Sequence, residues 1–118
     1  MKYDIAIIDY NTGNLFGLEC ALNHVKLKTI ITSDKNTIMN SKAIILPGVG
    51  SFNKAMKNIK EKKLDTIIQK CNDQKKIIIG ICLGMQLLFQ KSNENNLSTG
   101  LCILKGSVEA IHSKKKYL

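Results

Sequence analysis

The chain has no arginine and no tryptophan, and these two absences bear on what it can bind. All 18 of its basic residues are lysines, and the formal net charge is +9. Arginine, however, is the residue that dominates bidentate contacts to phosphates and base edges. Aromatic residues make up only 5% of the chain, too few to form a surface on which bases stack. We therefore interpret the charge as solvated lysines on exposed faces, and we expect no nucleic acid partner.

Long apolar stretches and closely spaced cysteines are also missing. The longest apolar runs are a few residues, so we expect no transmembrane helix and no membrane partner. Asp4 stands where a signal peptide needs apolar residues, which favours a cytoplasmic location. No two cysteines form a C-x-x-C pair, which excludes the common zinc spacings: Cys20, Cys71, Cys82 and Cys102. We expect no metal and no cofactor, and we place every thiol except Cys82 in the core or in helices.

What the sequence does contain is a series of short apolar runs separated by segments with helical periodicity. Four runs rich in β-branched residues predict strands at 4–9, 29–32, 43–46 and 77–81, the last of them buried. Apolar residues at helical spacing predict a helix capped by Asn14, a second capped by Ser51 and a third around 64–71. Strands that alternate with helices indicate an α/β fold, a mostly parallel sheet with helices on both faces. We expect residues 1–118 to belong to one domain.

Three further segments carry weaker signals. Residues 33–41 predict a turn with one helical turn in it, and residues 92–99 have the composition of an exposed loop. Residues 101–111 predict one or two strands around Gly106. The chain then continues into a lysine-rich tail.

The most informative segment is KIIIGICLGMQLLF, residues 76–89. The pattern Gly80-x-Cys82-x-Gly84 is the thiol counterpart of the nucleophile elbow, a sharp strand-to-helix turn that presents a nucleophile at the edge of a sheet. The glycines are needed because a Cβ at either position would clash where backbone segments approach closely. The N-terminus of a following helix favours a thiolate at Cys82. The pentapeptide alone also fits a tight turn behind a core strand, so by itself it leaves both interpretations open.

Chemistry in a parallel sheet collects at the carboxyl ends of the strands. Three loops are expected there, at residues 10–14, at residues 47–50 and at Cys82. A thiol that faces a glycine-rich loop suits acyl transfer, because backbone N–H groups of the loop and of Leu83 can stabilise an oxyanion. Without the elbow, Pro47-Gly48-Val49-Gly50 is equally an ordinary turn at the end of a strand.

Three stretches together carry a family resemblance. They are IAIIDYNTGNL (5–15), AIILPGVGSF (43–52) and GICLGMQLLF (80–89). In this order and spacing they resemble the glutaminase subunits of imidazole glycerol phosphate synthases, a histidine-biosynthesis branch of the class I glutamine amidotransferases. The likeness covers the whole chain. The three motifs are specific jointly, and no one of them would be specific alone.

The resemblance implies a class I amidotransferase fold and a reaction. By it, Cys82 attacks the side-chain amide of L-glutamine, releases ammonia and forms a thioester that water hydrolyses. The ammonia would pass to a (β/α)8-barrel cyclase subunit, the other half of a heterodimer, for incorporation into a phosphoribosyl nucleotide. The implied binding positions are the oxyanion groups Gly48, Val49, Gly50 and Leu83, the glutamine contact Gln86, and the partner-facing residues Asn11 and Asn14.

One family feature is absent from the sequence. The family completes its catalytic triad with a His-Pro-Glu segment near the carboxyl end of a longer chain, whereas this sequence has only His24 and His112. Neither stands in a His-x-Glu context, so neither is taken as the general base. We therefore expect the amino-terminal part of an amidotransferase domain, inactive or severely impaired alone. A sheet without its later strands is also expected to associate or to be poorly soluble.

Three alternatives remain at this point. The same ammonia-donating subunit could serve a sugar-modifying synthase in surface-polysaccharide assembly. The chain could instead be a partner-binding module that hydrolyses nothing, as the missing histidine and glutamate suggest. A different cysteine hydrolase of similar fold is disfavoured by the loop at 47–50 and by Gln86.

Overall fold

Residues 2–94 and 97–111 are described by a computed structural model, and in this part of the chain seven strands and five helices are found. The strands are β1 (Ile5–Ile8), β2 (Thr29–Thr32), β3 (Ala43–Leu46), β4 (Ile77–Gly80), β5 (Lys91–Ser92), β6 (Ser98–Thr99) and β7 (Ser107–Val108). The helices are α1 (Phe16–His24), α2 (Lys35–Asn40), α3 (Phe52–Glu61), α4 (Leu64–Asp73) and α5 (Leu83–Leu87). None of these helices is long and apolar enough to cross a membrane.

The first four strands form one parallel sheet in the order β2-β1-β3-β4. Each is a four-residue apolar or threonine-flanked run in which β-branched side chains fit the pleated surface. The predicted parallel α/β sheet is thus confirmed, and two strands, β2 and β3, have the predicted bounds. Ser41 supports the entry into β3, because its buried hydroxyl donates to the Ile38 carbonyl at 2.7 Å.

Helices cover both faces of this sheet, as predicted. Alternate residues of β1 and β3, such as Ile8 and Ile44, pack in one core with α2, α3, α4 and α5. The intervening residues, such as Ile7 and Ile45, form a second cluster with Leu18 and other side chains of α1. Helix α3 buries one apolar stripe at helical spacing, Phe52, Ala55, Met56 and Ile59, and Ser51 caps it by accepting the Lys54 N–H.

The strand predicted at 77–81 is present as β4 at Ile77–Gly80, but the prediction that it is buried is wrong. Ile77 is 65% exposed and Ile79 is 40% exposed. Within the described residues β4 is the last strand of the sheet, and its register places both side chains on the α1 face. The apolar cluster on that face centres on β1 and β3, so α1 does not reach Ile77 and Ile79. A fully apolar strand is normally covered on both faces.

The prediction of Asn14 as the cap of α1 is also wrong, by one residue. Leu15 occupies the N-cap position, and it makes no side-chain cap hydrogen bond. Asn14 instead accepts the Phe16 N–H at 2.9 Å through its side-chain oxygen. An asparagine that bonds the backbone two residues ahead stabilises a turn before the helix rather than the helix itself.

Residues beyond α5 differ most from the sequence predictions. Ser92, predicted in an exposed loop, is buried in a small sheet of order β6-β5-β7. Cys102 is exposed and outside the helices, with φ of 58°, rather than in the core. Between residues 101 and 111 one short strand, β7, follows Gly106. These elements are held by long-range backbone pairs, which periodicity does not reveal. His112 and the lysine tail lie outside the described residues.

Candidate functional site

The strand-turn-helix arrangement predicted around Cys82 is present. Cys82 stands between β4 and α5 with φ of 53° and ψ of −123°, a backbone conformation that residues with a Cβ rarely adopt. Such strain persists only where surrounding contacts impose it, and it is concentrated at functional sites. The side chain of Cys82 is exposed rather than packed in the core. The interpretation of this segment as a tight turn around a buried thiol therefore does not hold.

The two glycines of the elbow are required by space. A Cβ on Gly80 would lie 2.6 Å from the Cα of Met85, on the first turns of α5. A Cβ on Gly84 would collide with the backbone carbonyl of Leu46, at the end of β3. Helix α5 can therefore start beside the end of β3 only because these two positions have no side chain. The clash predicted for a Cβ at either glycine is thus confirmed.

The loop 47–50 lies directly against the start of α5. The Leu83 N–H donates to the Gly48 carbonyl at 3.3 Å, and the Val49 N–H donates to Thr12 Oγ1 at 3.1 Å. The Gly48 carbonyl and the Val49 N–H belong to one peptide group. Two of the backbone donors predicted for an oxyanion, those of Val49 and Leu83, are therefore engaged by partners within the chain, and one peptide group takes part in both contacts.

A cleft of about 280 Å³ opens beside the Cys82 side chain. It is lined by residues of the three loops that were predicted to meet, together with apolar residues of α1 and the elbow: Thr12, Asn14, Leu15, Leu18, Pro47, Gly48, Val49, Ile81 and Cys82. Among the predicted site residues, Asn14, Gly48 and Val49 thus share one cleft with the thiol. Leu83 is buried and meets the site through its N–H.

Three other predicted residues lie apart from this cleft. Gln86 is half-buried on α5 and does not line it. Asn11 and Gly50 line a separate depression of about 180 Å³ with Ser51 and Lys54. Both have positive φ, 67° for Asn11 and 100° for Gly50, so each marks a tight change of chain direction. The loop therefore separates two surfaces, and only one of them contains the thiol.

No histidine lines the cleft in the described part of the chain. His24 is in the last turn of α1, and His112 is outside the described residues. Thr12 and Asn14 supply polar atoms but no general base. The site as described therefore combines an exposed thiol, a glycine-rich loop and a cleft, without the group that would accept the thiol proton.

Two residues of the site were missed by sequence reasoning, Tyr10 and Thr12. Tyr10 is fully buried, and its hydroxyl donates to the Pro47 carbonyl at 2.5 Å. No local pattern indicates their contacts, because Asn11 between them has a φ of 67° and the segment is not extended, and because the partners lie on the loop after β3.

The chain matches the family model for glutamine amidotransferase class-I over residues 6–117, which includes the elbow and both neighbouring loops. The chain belongs to this family. Its elbow, loop and sheet are thus those of a class-I amidotransferase. The roles of individual site residues stay predictions.

Relatives of this amidotransferase chain carry a more specific name. It is 47% identical over 107 residues to the imidazole glycerol phosphate synthase subunit HisH of Bacillus cytotoxicus, and 48% identical to the same subunit of Bacillus cereus strain AH187. Each match covers 91% of this chain and 51% of the relative. The chain therefore spans about half the length of the curated relatives it matches.

A solved structure supports the fold independently. The chain superposes on a crystal structure of a glutamine amidotransferase with a TM-score of 0.75, over 90% of this chain and 56% of the other. The identity is 20%, so this likeness concerns the fold alone.

Proposed function

We propose that this chain is the thiol-bearing half of a glutaminase that supplies ammonia to a synthase partner. The observation that carries the proposal is the strained, exposed Cys82, held between Gly80 and Gly84 and facing the loop at 47–50. The cleft beside the thiol is lined by polar side chains, Thr12 and Asn14, and by apolar side chains such as Leu18 and Ile81. Such a cleft suits an amino acid with a terminal amide.

In the proposed reaction, the sulfur of Cys82 attacks the side-chain amide carbon of L-glutamine. A carbon–sulfur bond forms, the carbon–nitrogen bond breaks, and ammonia leaves after it takes up the proton from the thiol by way of a general base. Water then cleaves the thioester and yields glutamate. The base is not among the residues that line the cleft, so we propose that it comes from outside the described residues.

The loop must rearrange before it can stabilise the tetrahedral oxyanion. As folded, the Gly48 carbonyl oxygen accepts the hydrogen bond of the Leu83 N–H, and this oxygen would repel an oxyanion. Rotation of the peptide group between Gly48 and Val49 would free the Leu83 N–H and bring the Val49 N–H beside it. We propose that the described conformation is a resting state and that substrate or partner binding favours the rotated one.

For the destination of the ammonia, we propose a (β/α)8-barrel cyclase subunit that makes imidazole glycerol phosphate. The support is that the relatives are subunits of imidazole glycerol phosphate synthase, which also makes delivery to a polysaccharide-modifying synthase less favoured. In this proposal Asn11 and Asn14, both exposed on the loop after β1, face that subunit. Gln86 contacts glutamine once the rest of the site is in place.

The first test compares two thiol reagents on the chain fused to the carboxyl-terminal half of the Bacillus cereus relative, because the general base and the Gln86 contact are proposed to need the rest of the site. Iodoacetamide should label the three exposed thiols, Cys20, Cys82 and Cys102, whereas a chloroketone analogue of glutamine should label Cys82 preferentially. Excess L-glutamine should protect Cys82 from the analogue and leave the other two thiols unaffected. Equal labelling of all three by the analogue would contradict the proposal.

Hydrolysis itself is tested on the same fusion. Glutamate release should depend on Cys82 and disappear in the Cys82→Ala variant, with Cys102→Ala as the matched control. Binding to a cyclase barrel without any glutamate release would instead identify a partner-binding module.

A further inference from the structure

Tyr10 occupies an unusual place for a residue just beyond a strand. Its ring lies in the main core, and it is the largest of the side chains that are fully buried. Its hydroxyl reaches across to the neighbouring loop and donates to the Pro47 carbonyl, 37 residues away in sequence. Burial raises the pKa of the Tyr10 hydroxyl above its ordinary value, so the group stays protonated and remains a donor.

The same hydroxyl also lies against Gly48. A Cβ added to Gly48 would collide with the Tyr10 oxygen, and it would lie 3.1 Å from both the Gly84 nitrogen and the Leu83 Cβ. Gly48 is therefore enclosed by the tyrosine on one side and by the elbow on the other. A shift of the tyrosine oxygen would allow the loop to move relative to Cys82.

Thr12 completes the arrangement from the same segment. Its hydroxyl accepts the Val49 N–H at 3.1 Å. The peptide group before Gly48 is thus held by Tyr10, and the peptide group after it is held by Thr12. Rotation about Gly48 breaks the contact to Thr12 and leaves the contact to Tyr10 intact.

We propose that Tyr10 is a positioning residue of the oxyanion loop: it anchors the Pro47 carbonyl as a fixed pivot about which the Gly48–Val49 peptide turns. The hydrogen bond from the Val49 N–H to the Thr12 hydroxyl is the contact that breaks when this peptide turns. This inference rests on the proposed glutaminase function, and it adds two residues that act on the reaction through the loop, without touching glutamine.

The test measures hydrogen exchange of single amides in the Tyr10→Phe variant of the chain. Phenylalanine keeps the ring in the core and removes only the hydroxyl. The Val49 and Leu83 amides should exchange about tenfold faster, because the loop loses one buried hydrogen bond, while amides of β1 and β3 keep their rates. Ser41→Ala is the matched control, because it removes another buried hydroxyl that donates to a carbonyl.

Two results would overturn the inference. One is an equal increase in exchange at Val49, Leu83 and the strand amides, which would make Tyr10 a stabilising residue only. The other is an unchanged rate at Val49 and Leu83. Thr12→Val should accelerate exchange at Val49, and Thr12→Ser, which restores an acceptor, should return it to the original rate. Acceleration in both Thr12 variants would exclude the hydroxyl as the contact that matters.

A second measurement separates this inference from the proposed function. In Tyr10→Phe, measured in the fusion to the carboxyl-terminal half of the Bacillus cereus relative, the preference of Cys82 for the glutamine chloroketone over iodoacetamide should fall, while its rate with iodoacetamide stays the same. The exchange experiment contains no glutamine. If the fusion with Tyr10 intact shows no preference but the exchange pattern of the chain is as expected, the glutaminase proposal fails and the role of Tyr10 in the loop stands.

Discussion

Two glycines of the loop at 47–50, Gly48 and Gly50, are needed for different reasons. Gly48 is needed for space, because a side chain there would meet Tyr10 and the elbow. Gly50 has no atom near its missing Cβ, but its φ of 100° lies in the region that disfavours any other residue. At the scale of single residues, then, the site depends on close approach in one place and on backbone angle in another.

A substitution at Gly84 tests the close approach most directly. We expect Gly84→Ala to destabilise the fold by about 3 kcal/mol or more, because the new Cβ collides with the Leu46 carbonyl, a backbone atom that cannot rotate away. The measurement is the free energy of unfolding in urea.

Gly17→Ala is the control, since Gly17 has no atom within 4 Å of a new Cβ and lies on α1. The free energy of unfolding of Gly17→Ala should be about 0.5–1 kcal/mol higher than that of the original chain. Equal effects of the two substitutions would show that the elbow does not depend on this contact.

At this scale, sequence reasoning identified Cys82, Gly80 and Gly84 because their spacing is local. It missed Tyr10 and Thr12 because their partners are 37 residues away on a neighbouring loop. It also placed Gln86 in the substrate site by resemblance, and the described residues leave Gln86 outside the cleft. Local spacing determines a turn, but a hydrogen bond across two loops requires the sheet to be built first.

Helix α2 shows how a single cap can make an element sensitive to pH. Asp34 accepts the Thr37 N–H and hydroxyl at 2.9 and 2.7 Å through one carboxylate oxygen. The hydrogen bond from the Thr37 side chain, followed by that from its backbone, lowers the pKa of Asp34 below its ordinary value of 3.8. The folded state therefore binds this proton less readily than the unfolded state. The resulting stability is present above about pH 4 and is lost as the pH falls through the lowered pKa.

We expect Asp34→Asn to flatten the decline of stability between about pH 5 and pH 2, because asparagine can still cap the helix but does not titrate. The measurement is the urea midpoint at a series of pH values. Asp4→Asn is the companion variant. The Lys28 backbone N–H and then the Lys42 side chain lower the pKa of Asp4, and its effect should be additive with that of Asp34. Identical pH profiles for the original chain and Asp34→Asn would exclude this role for the cap.

Most elements were predictable because each one is encoded locally. Strand β3 and the buried stripe of α3 follow directly from an apolar run and from helical spacing. The start of α1 was missed by one residue because Asn14 bonds its own turn. Strands β5 and β6 were missed because two-residue strands carry no periodicity of their own, whereas β7 lies within the range 101–111 in which one or two strands were predicted.

For the whole molecule, the exposed side of β4 is the feature with the largest physical consequence. Ile77 and Ile79 present an apolar surface beside the outer edge of the sheet. In the described residues no strand pairs with that edge. Exposed edges with apolar side chains promote pairing between chains.

We therefore expect the chain alone to associate in solution, and we expect Ile79→Lys to shift it toward the monomer. A lysine on an edge strand places charge where a second chain would pair. Sedimentation velocity across a concentration series measures the effect. Ile111→Lys adds the same charge at another exposed isoleucine and should leave association unchanged. A monodisperse, cooperatively unfolding monomer without any substitution would contradict the expectation.

The sequence by itself determined the class of fold, the strand-turn-helix around Cys82 and the family. Each apolar run and each motif lies within about fifteen residues, and the family follows from the order and spacing of three such motifs along the chain. Only the tertiary structure decided that β4 is exposed, that the backbone donors near Cys82 are already engaged, and that Tyr10 and Thr12 hold the loop. The physical reason is that burial and hydrogen-bond partners are set by which segments meet. In a parallel sheet the meeting segments come from distant parts of the chain.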